Sequence, residues 1–153
     1  MIEPQELRSL IKATLEPLGL YSPEAEEILM ATCAQESHLG TYRRQIGGPA
    51  LGIFQMEPNT FNDIWANYLH YKQALSDKVR ALATYGFVIA SELMNNDPFA
   101  IAMARLVYLR APEALPAATD LEGMWTLYKL RYNSPKGAAT HDEFVANYKR
   151  YVA

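Results

Sequence analysis

Apolar positions along the chain recur at three- and four-residue spacing in several segments, whereas the strict alternation of a half-buried strand is scarce. The pattern predicts a mainly α fold. A first helix covers 4–18 and stops at Gly19. Ser22-Pro23 then supplies an N-cap and a first-turn proline for a second helix reaching His38, with Gly40 as its stop. Pro58 opens a third helix to about residue 70, Ser76 caps a fourth to about 94, and Asp97-Pro98 starts a fifth that ends near Arg110. Asp120 caps a sixth running to Tyr132, and Thr140-His141-Asp142-Glu143 has capping-box spacing for a last helix to about Val152. Between the second and third helices, 41–56 holds Gly47-Gly48-Pro49 and Gly52 with no helical stripe, which predicts a loop with at most a short β-hairpin. No repeat, charge block or linker divides the chain, so 1–153 reads as one globular domain.

One residue breaks the helical pattern. On the second helix Ala25, Ile28, Leu29, Thr32 and Cys33 share an apolar stripe, and Glu36 lands in its middle. Glu26, Glu27 and Ser37 fall outside the stripe, on the face expected to meet solvent. A carboxylate turned toward a core loses hydration, which penalises its charged form and raises its pKa, as a general acid near neutral pH requires. Taken from the wheel alone, a frayed helix end or an arginine-paired structural glutamate explains the position equally well.

Half of the 153 residues are hydrophobic, enough for a real core, and the formal net charge of -3 removes the electrostatic basis for sequence-independent nucleic-acid or anionic-membrane binding. Cys33 is the one cysteine, so no internal disulfide is expected, and its place on the stripe marks it as a small core residue. The acidic start Met1-Ile2-Glu3-Pro4-Gln5-Glu6 lacks a signal-peptide core and no later run suits a membrane span. Synthesis in the cytoplasm without a signal peptide, and no membrane insertion, are the expectations. His38, His70 and His141 lack metal-ligand spacing, and no phosphate- or dinucleotide-binding glycine loop occurs, so neither metal nor cofactor is expected.

Motif order adds what composition cannot. Glu36-Ser37-His38-Leu39-Gly40 is followed by Gly52-Ile53-Phe54-Gln55-Met56-Glu57-Pro58-Asn59-Thr60, and Tyr132-Asn133 comes at the end of a later helix. This succession resembles the Glu-Ser, Gly-x-x-Gln-x-x-Pro-x-Thr and Tyr-Asn blocks of soluble-lytic-transglycosylase-type domains, within the lysozyme-like superfamily, over about 28–133. The family usually carries small residues around Tyr-Asn, where this chain has Leu130-Arg131 before and Ser134-Pro135-Lys136-Gly137 after. The resemblance implies a lysozyme-like fold and cleavage of the β-1,4 bond between N-acetylmuramic acid and N-acetylglucosamine in peptidoglycan. Glu36 would be the general acid, Tyr132 would donate a hydrogen bond to it, and Ser37 would be a supporting hydroxyl near it. Gly52 would let the main chain approach the sugar, Gln55 would present an amide to the sugar or hold the loop backbone, and Asn133 would bind an N-acetyl group. The order of parts also resembles small bacteriophage endolysins or virion-associated muralytic enzymes, which implies a monomer reaching the bacterial wall after release or delivery.

Two chemistries can follow from one acid. A hydrolase needs a second carboxylate about 5 to 9.5 Å away, for which Glu57 and Asp63 are the nearby candidates, though no block contains them as such. A lytic transglycosylase needs none, because the substrate's N-acetyl group and C6 hydroxyl take over, leaving a 1,6-anhydromuramyl end. Transglycosylation is the preferred expectation and a lysozyme-type muramidase the runner-up. A non-catalytic sugar-binding or virion structural protein is the third, disfavoured by the intact Glu36 and its companion blocks. Trp65, Tyr68, Tyr71, Tyr85, Tyr108, Trp125 and Tyr128 are expected to be mostly core.

Overall fold

Prolines in the first turn start four of the helices, where their missing N–H costs nothing. The computed structural model describes residues 1–45 and 47–153. In it, α1 (Pro4–Leu15), α2 (Pro23–Ser37), α3 (Pro58–Asn67), α4 (Gln73–Arg80), α5 (Asp97–Leu109), α6 (Leu121–Leu127) and α7 (His141–Tyr151) enclose one apolar core. The caps are those the sequence offers: Ser22 Oγ accepts from Ala25 N at 3.0 Å, Asp120 from Gly123 N at 2.9 Å, and Thr140 from Glu143 N at 3.3 Å. The chain is mainly α. Its β character among the described residues is two isolated bridges, Arg44 with Leu51 and Leu51 with Met56, in the 41–56 loop, of which position 46 lies outside the described residues. Among the described residues, no helix is long and apolar enough to cross a membrane.

Two expectations about elements need correction. The helix expected over 76–94 is broken: α4 starts at Gln73, with Ser76 inside it, and ends at Arg80. Short 3₁₀ turns at Thr84–Gly86 and Ala90–Met94 replace the rest, because Tyr85 and Gly86 turn left-handed at φ 55° and 71°. The sixth helix does reach Asn133, but from Tyr128 onward it widens into a π-helical turn. The second helix ends at Ser37 with His38 as its cap, close to the expected end, and His38, Leu39 and Gly40 all adopt left-handed φ, at 52°, 54° and 84°.

That helix is also not amphipathic. α2 runs through the centre, with α1, α5 and α7 packed around it. Glu27, expected to face solvent, is buried: Arg8 grips both its oxygens, at 2.6 and 3.0 Å, and Tyr148 donates to it. Arg8 also reaches Glu26 at 2.9 Å, so one guanidinium joins α1 to α2 while the phenol brings in α7. A buried carboxylate with these partners is satisfied, and Arg8 and Tyr148 hold Glu27 below its ordinary pKa against the opposing effect of burial.

Candidate active site

The last turn of α2 delivers Glu36 to the floor of a cleft of about 420 Å³, where it stays half-buried beside Gln55, Glu57 and Tyr132. A second cavity of about 210 Å³, bounded by Tyr42, Arg44 and Gln45, shares Glu36 and Gln55 with the first. Open space therefore meets the carboxyl on two sides. Protein packed around it strips its hydration and lifts its pKa from 4.5 to about 7, with a hydrogen bond from Tyr128 as the one opposing influence. The Glu36 carboxyl is thus largely protonated at pH 6 and still a fair proton donor at neutrality.

The hydrogen bond to Glu36 comes from a residue the motif did not single out. Tyr128 Oη donates to Glu36 Oε2. Burial and the adjacent carboxylate push the Tyr128 phenol well up, so it remains a donor throughout the working range. Tyr132, expected in that role, instead donates to the Phe54 carbonyl at 2.7 Å. The geometry of the π-helical turn explains the exchange. Tyr128 and Tyr132, four residues apart, lie on one face with rings 5.9 Å apart and 18° from parallel, and the earlier ring is the one beneath the carboxyl. Tyr108 extends the stack, 5.7 Å from Tyr132, and closes its own hydroxyl against Thr32 at 2.8 Å. The rings fix the phenols by packing, at about 0.5 to 1.5 kcal/mol per pair beyond their burial.

Two further residues expected to meet substrate do structural work. Ser37 is fully buried, so it touches no ligand. Its hydroxyl donates to Ile53 O at 2.5 Å and accepts from Gly40 N at 2.8 Å, pinning the left-handed turn and the 41–56 loop to the end of α2. Gly52 is likewise buried, with φ 80°, and a Cβ there would lie 2.0 Å from the Leu93 carbonyl oxygen. The close approach its glycine permits is to the protein's own backbone. Arg43 completes the loop's anchorage with a two-pronged ion pair, at 2.7 and 3.0 Å, to Asp97 in the first turn of α5.

Gln55 and Asn133 do line the cleft. Gln55 Nε2 folds back on Gly52 O at 2.8 Å, holding the side chain between the two cavities. Asn133 Oδ1 accepts from Lys129 Nζ at 2.9 Å, and the same lysine caps the carbonyls of Gly137 and Ala139 at 2.7 and 2.9 Å. Lys129, just before Leu130-Arg131, thus braces the Tyr-Asn turn. Of the two carboxylates weighed as partners for Glu36, Glu57 lines the same cleft, whereas Asp63 is tied to Arg110 and Asn67 at 2.7 Å each. Most of the aromatic residues expected in the core are buried or half-buried, but Tyr71 and Tyr85 project into solvent. Cys33 lies buried, its thiol pushed up to about 12, which suits a core residue rather than a nucleophile.

Compared with known proteins, the chain matches no family model, no curated protein and no solved structure. What the site can do is therefore read from its own geometry. A neutral carboxyl beside open space can protonate a leaving oxygen, and the carboxylate so formed is met by a phenol donor already in place.

Proposed function

We propose that this chain cleaves the N-acetylmuramic acid–N-acetylglucosamine β-1,4 bond of bacterial peptidoglycan by lytic transglycosylation. The observation that carries the reading is Glu36: a half-buried carboxyl, raised to about 7, at the end of a buried helix and bordering two joined cavities. Glu36 donates its proton to the glycosidic oxygen as positive charge develops at the muramic C1. The resulting carboxylate, oriented by Tyr128, then takes the proton of the substrate's C6 hydroxyl, closing the 1,6-anhydro ring. The resemblance in the three sequence blocks supplies the substrate class, and the same resemblance is what suggests a bacteriophage lysis or virion-associated enzyme that acts alone on glycan strands at the wall.

A hydrolytic reading has one observation in its favour, since Glu57 lines the cleft with Glu36 and could activate water or stabilise C1. Mass spectrometry of fragments released from purified peptidoglycan separates the two. Anhydromuramyl ends support transglycosylation, and borohydride-reducible ends with loss of activity in Glu57→Gln support hydrolysis. Undiminished clearing by a folded Glu36→Gln variant would overturn both.

A further inference from the structure

The cleft does not end at the residues around Glu36. It continues into a further cavity of about 240 Å³, and the two share Val107, Arg110 and Arg131. Both arginines are partly covered, with side chains 30% and 37% exposed, so their donors are neither fully solvated nor closed off. Their hydrogen bonds differ in a telling way. Arg110, just past the end of α5, gives Nη1 to Asp63 Oδ2 at 2.7 Å, and its side chain makes no other hydrogen bond among the described residues. Its Nε–Nη2 edge, the edge that matches the two oxygens of a carboxylate, is unspent. Arg131 spends that edge on Glu113, with Nε at 2.8 and 3.0 Å and Nη2 at 2.5 Å from the carboxylate oxygens, which fixes the guanidinium and leaves Nη1. The acidic groups nearby are Asp63 and Glu113, each already bound to an arginine, and Glu36 and Glu57, which line the same cleft.

We propose that Arg110 and Arg131 form a carboxylate-binding subsite of the glycan cleft, selecting carboxylate-bearing strands over uncharged ones. This inference rests on the glycan-cleaving reading above. Peptidoglycan offers that chemistry from two sources, the peptide stems and the lactyl groups left when stems are removed. An incoming carboxylate takes the free Arg110 edge in two parallel hydrogen bonds, with Arg131 Nη1 adding a third. A purely structural ion pair needs no open edge facing a cavity.

The test reads binding by titration calorimetry on Glu36→Gln, which separates affinity from turnover. Three soluble glycan strands serve as probes: stem-bearing, stem-stripped, and stem-bearing with every carboxyl converted to a methylamide. Stem-bearing strands should bind roughly 10- to 100-fold more tightly than amidated ones, the worth of charged hydrogen bonds, and Arg110→Gln should erase the difference. Arg110→Lys, which keeps the charge and loses the edge, should restore only part of it. Asp63→Asn removes the competing carboxylate and should tighten binding of the stem-bearing strand, a readout that does not depend on Arg110→Gln folding well. Stripped strands binding more tightly than both other probes would identify the lactyl carboxylate, which an attached stem masks as an amide, and stem-bearing strands binding more tightly than both the stem carboxylates; either supports the subsite. Equal binding of all three strands overturns this inference alone. No binding of any strand overturns it together with the glycan reading.

Discussion

Replacing Tyr128 by phenylalanine removes one oxygen and little else, which makes it the sharpest probe of the acid. The ring packs 5.1 Å from Phe144 and 5.9 Å from Tyr132, contacts a phenylalanine retains. What is lost is the donor to Glu36 Oε2, whose effect in the folded protein is to favour the carboxylate. A hydrogen bond to a charged group contributes about 1.5 to 3 kcal/mol, and each 1.4 kcal/mol is a tenfold change in acidity. The Glu36 carboxyl should therefore titrate about one to two pH units above its present value near 7. Because the acid must be protonated to act, activity falls on the alkaline side as Glu36 loses its proton, and that limb should move up by the same amount. The assay is the pH dependence of kcat/KM for soluble glycan strands, wild type against Tyr128→Phe, with matched circular dichroism. The maximum rate should drop as well, since the carboxylate formed after proton transfer loses its partner. An alkaline limb that stays put, or moves to lower pH, would refute the assignment of Tyr128 as the group orienting the acid.

Glu36→Gln should lower clearing of purified peptidoglycan by about 10² to 10⁴, measured by turbidity. The same variant carries a stability signature. Burial raises this carboxyl, so its contribution is fully present below about 4.5 and is lost as pH rises through about 7. Chemical denaturation should find Glu36→Gln gaining ~3 kcal/mol on the wild type between pH 4 and pH 9. Tyr132→Phe should instead leave the alkaline limb in place and lower Tm by roughly 2 to 12 °C, because the Phe54 carbonyl loses its partner at about 1 to 3 kcal/mol. Gly52→Ala should unfold at clearly lower denaturant concentration than Gly19→Ala. Both positions are left-handed, but a Cβ at 52 meets Leu93 O at 2.0 Å whereas one at 19 meets nothing within 4 Å.

The helix starts were legible because Ser22, Asp120 and Thr140 cap, and Asp97-Pro98 opens α5 one residue after its cap Asn96, by local chemistry that tertiary contacts did not override. The 76–94 region was misread because left-handed turns at Tyr85 and Gly86 interrupt a stretch whose composition still favours a helix. Glu36 was visible as an outlier on a stripe, yet the wheel placed Glu27 and Ser37 in solvent because it cannot know that α7 covers Glu27 and the 41–56 loop covers Ser37. Tyr128 lies 92 residues from the glutamate it contacts and is one of ten tyrosines. The one local clue was its spacing of four from Tyr132, which puts both on a single helical face. The free edge of Arg110 depends on where Asp63 happens to reach, and no sequence pattern encodes that.

The enclosure of α2 on all sides also governs how this protein can diverge. A helix with no solvent-facing stripe offers few positions where substitution is harmless: from Ile28 to Ala34 every side chain is buried. Drift in substrate choice should then accumulate at the rim, at Tyr42, Gln55, Arg110 and Arg131, where side chains border open cavities. A saturation mutagenesis library selected for lysis should show this as a sharp partition, with α2 intolerant even of conservative changes and the rim permissive, its survivors differing in which glycan they accept.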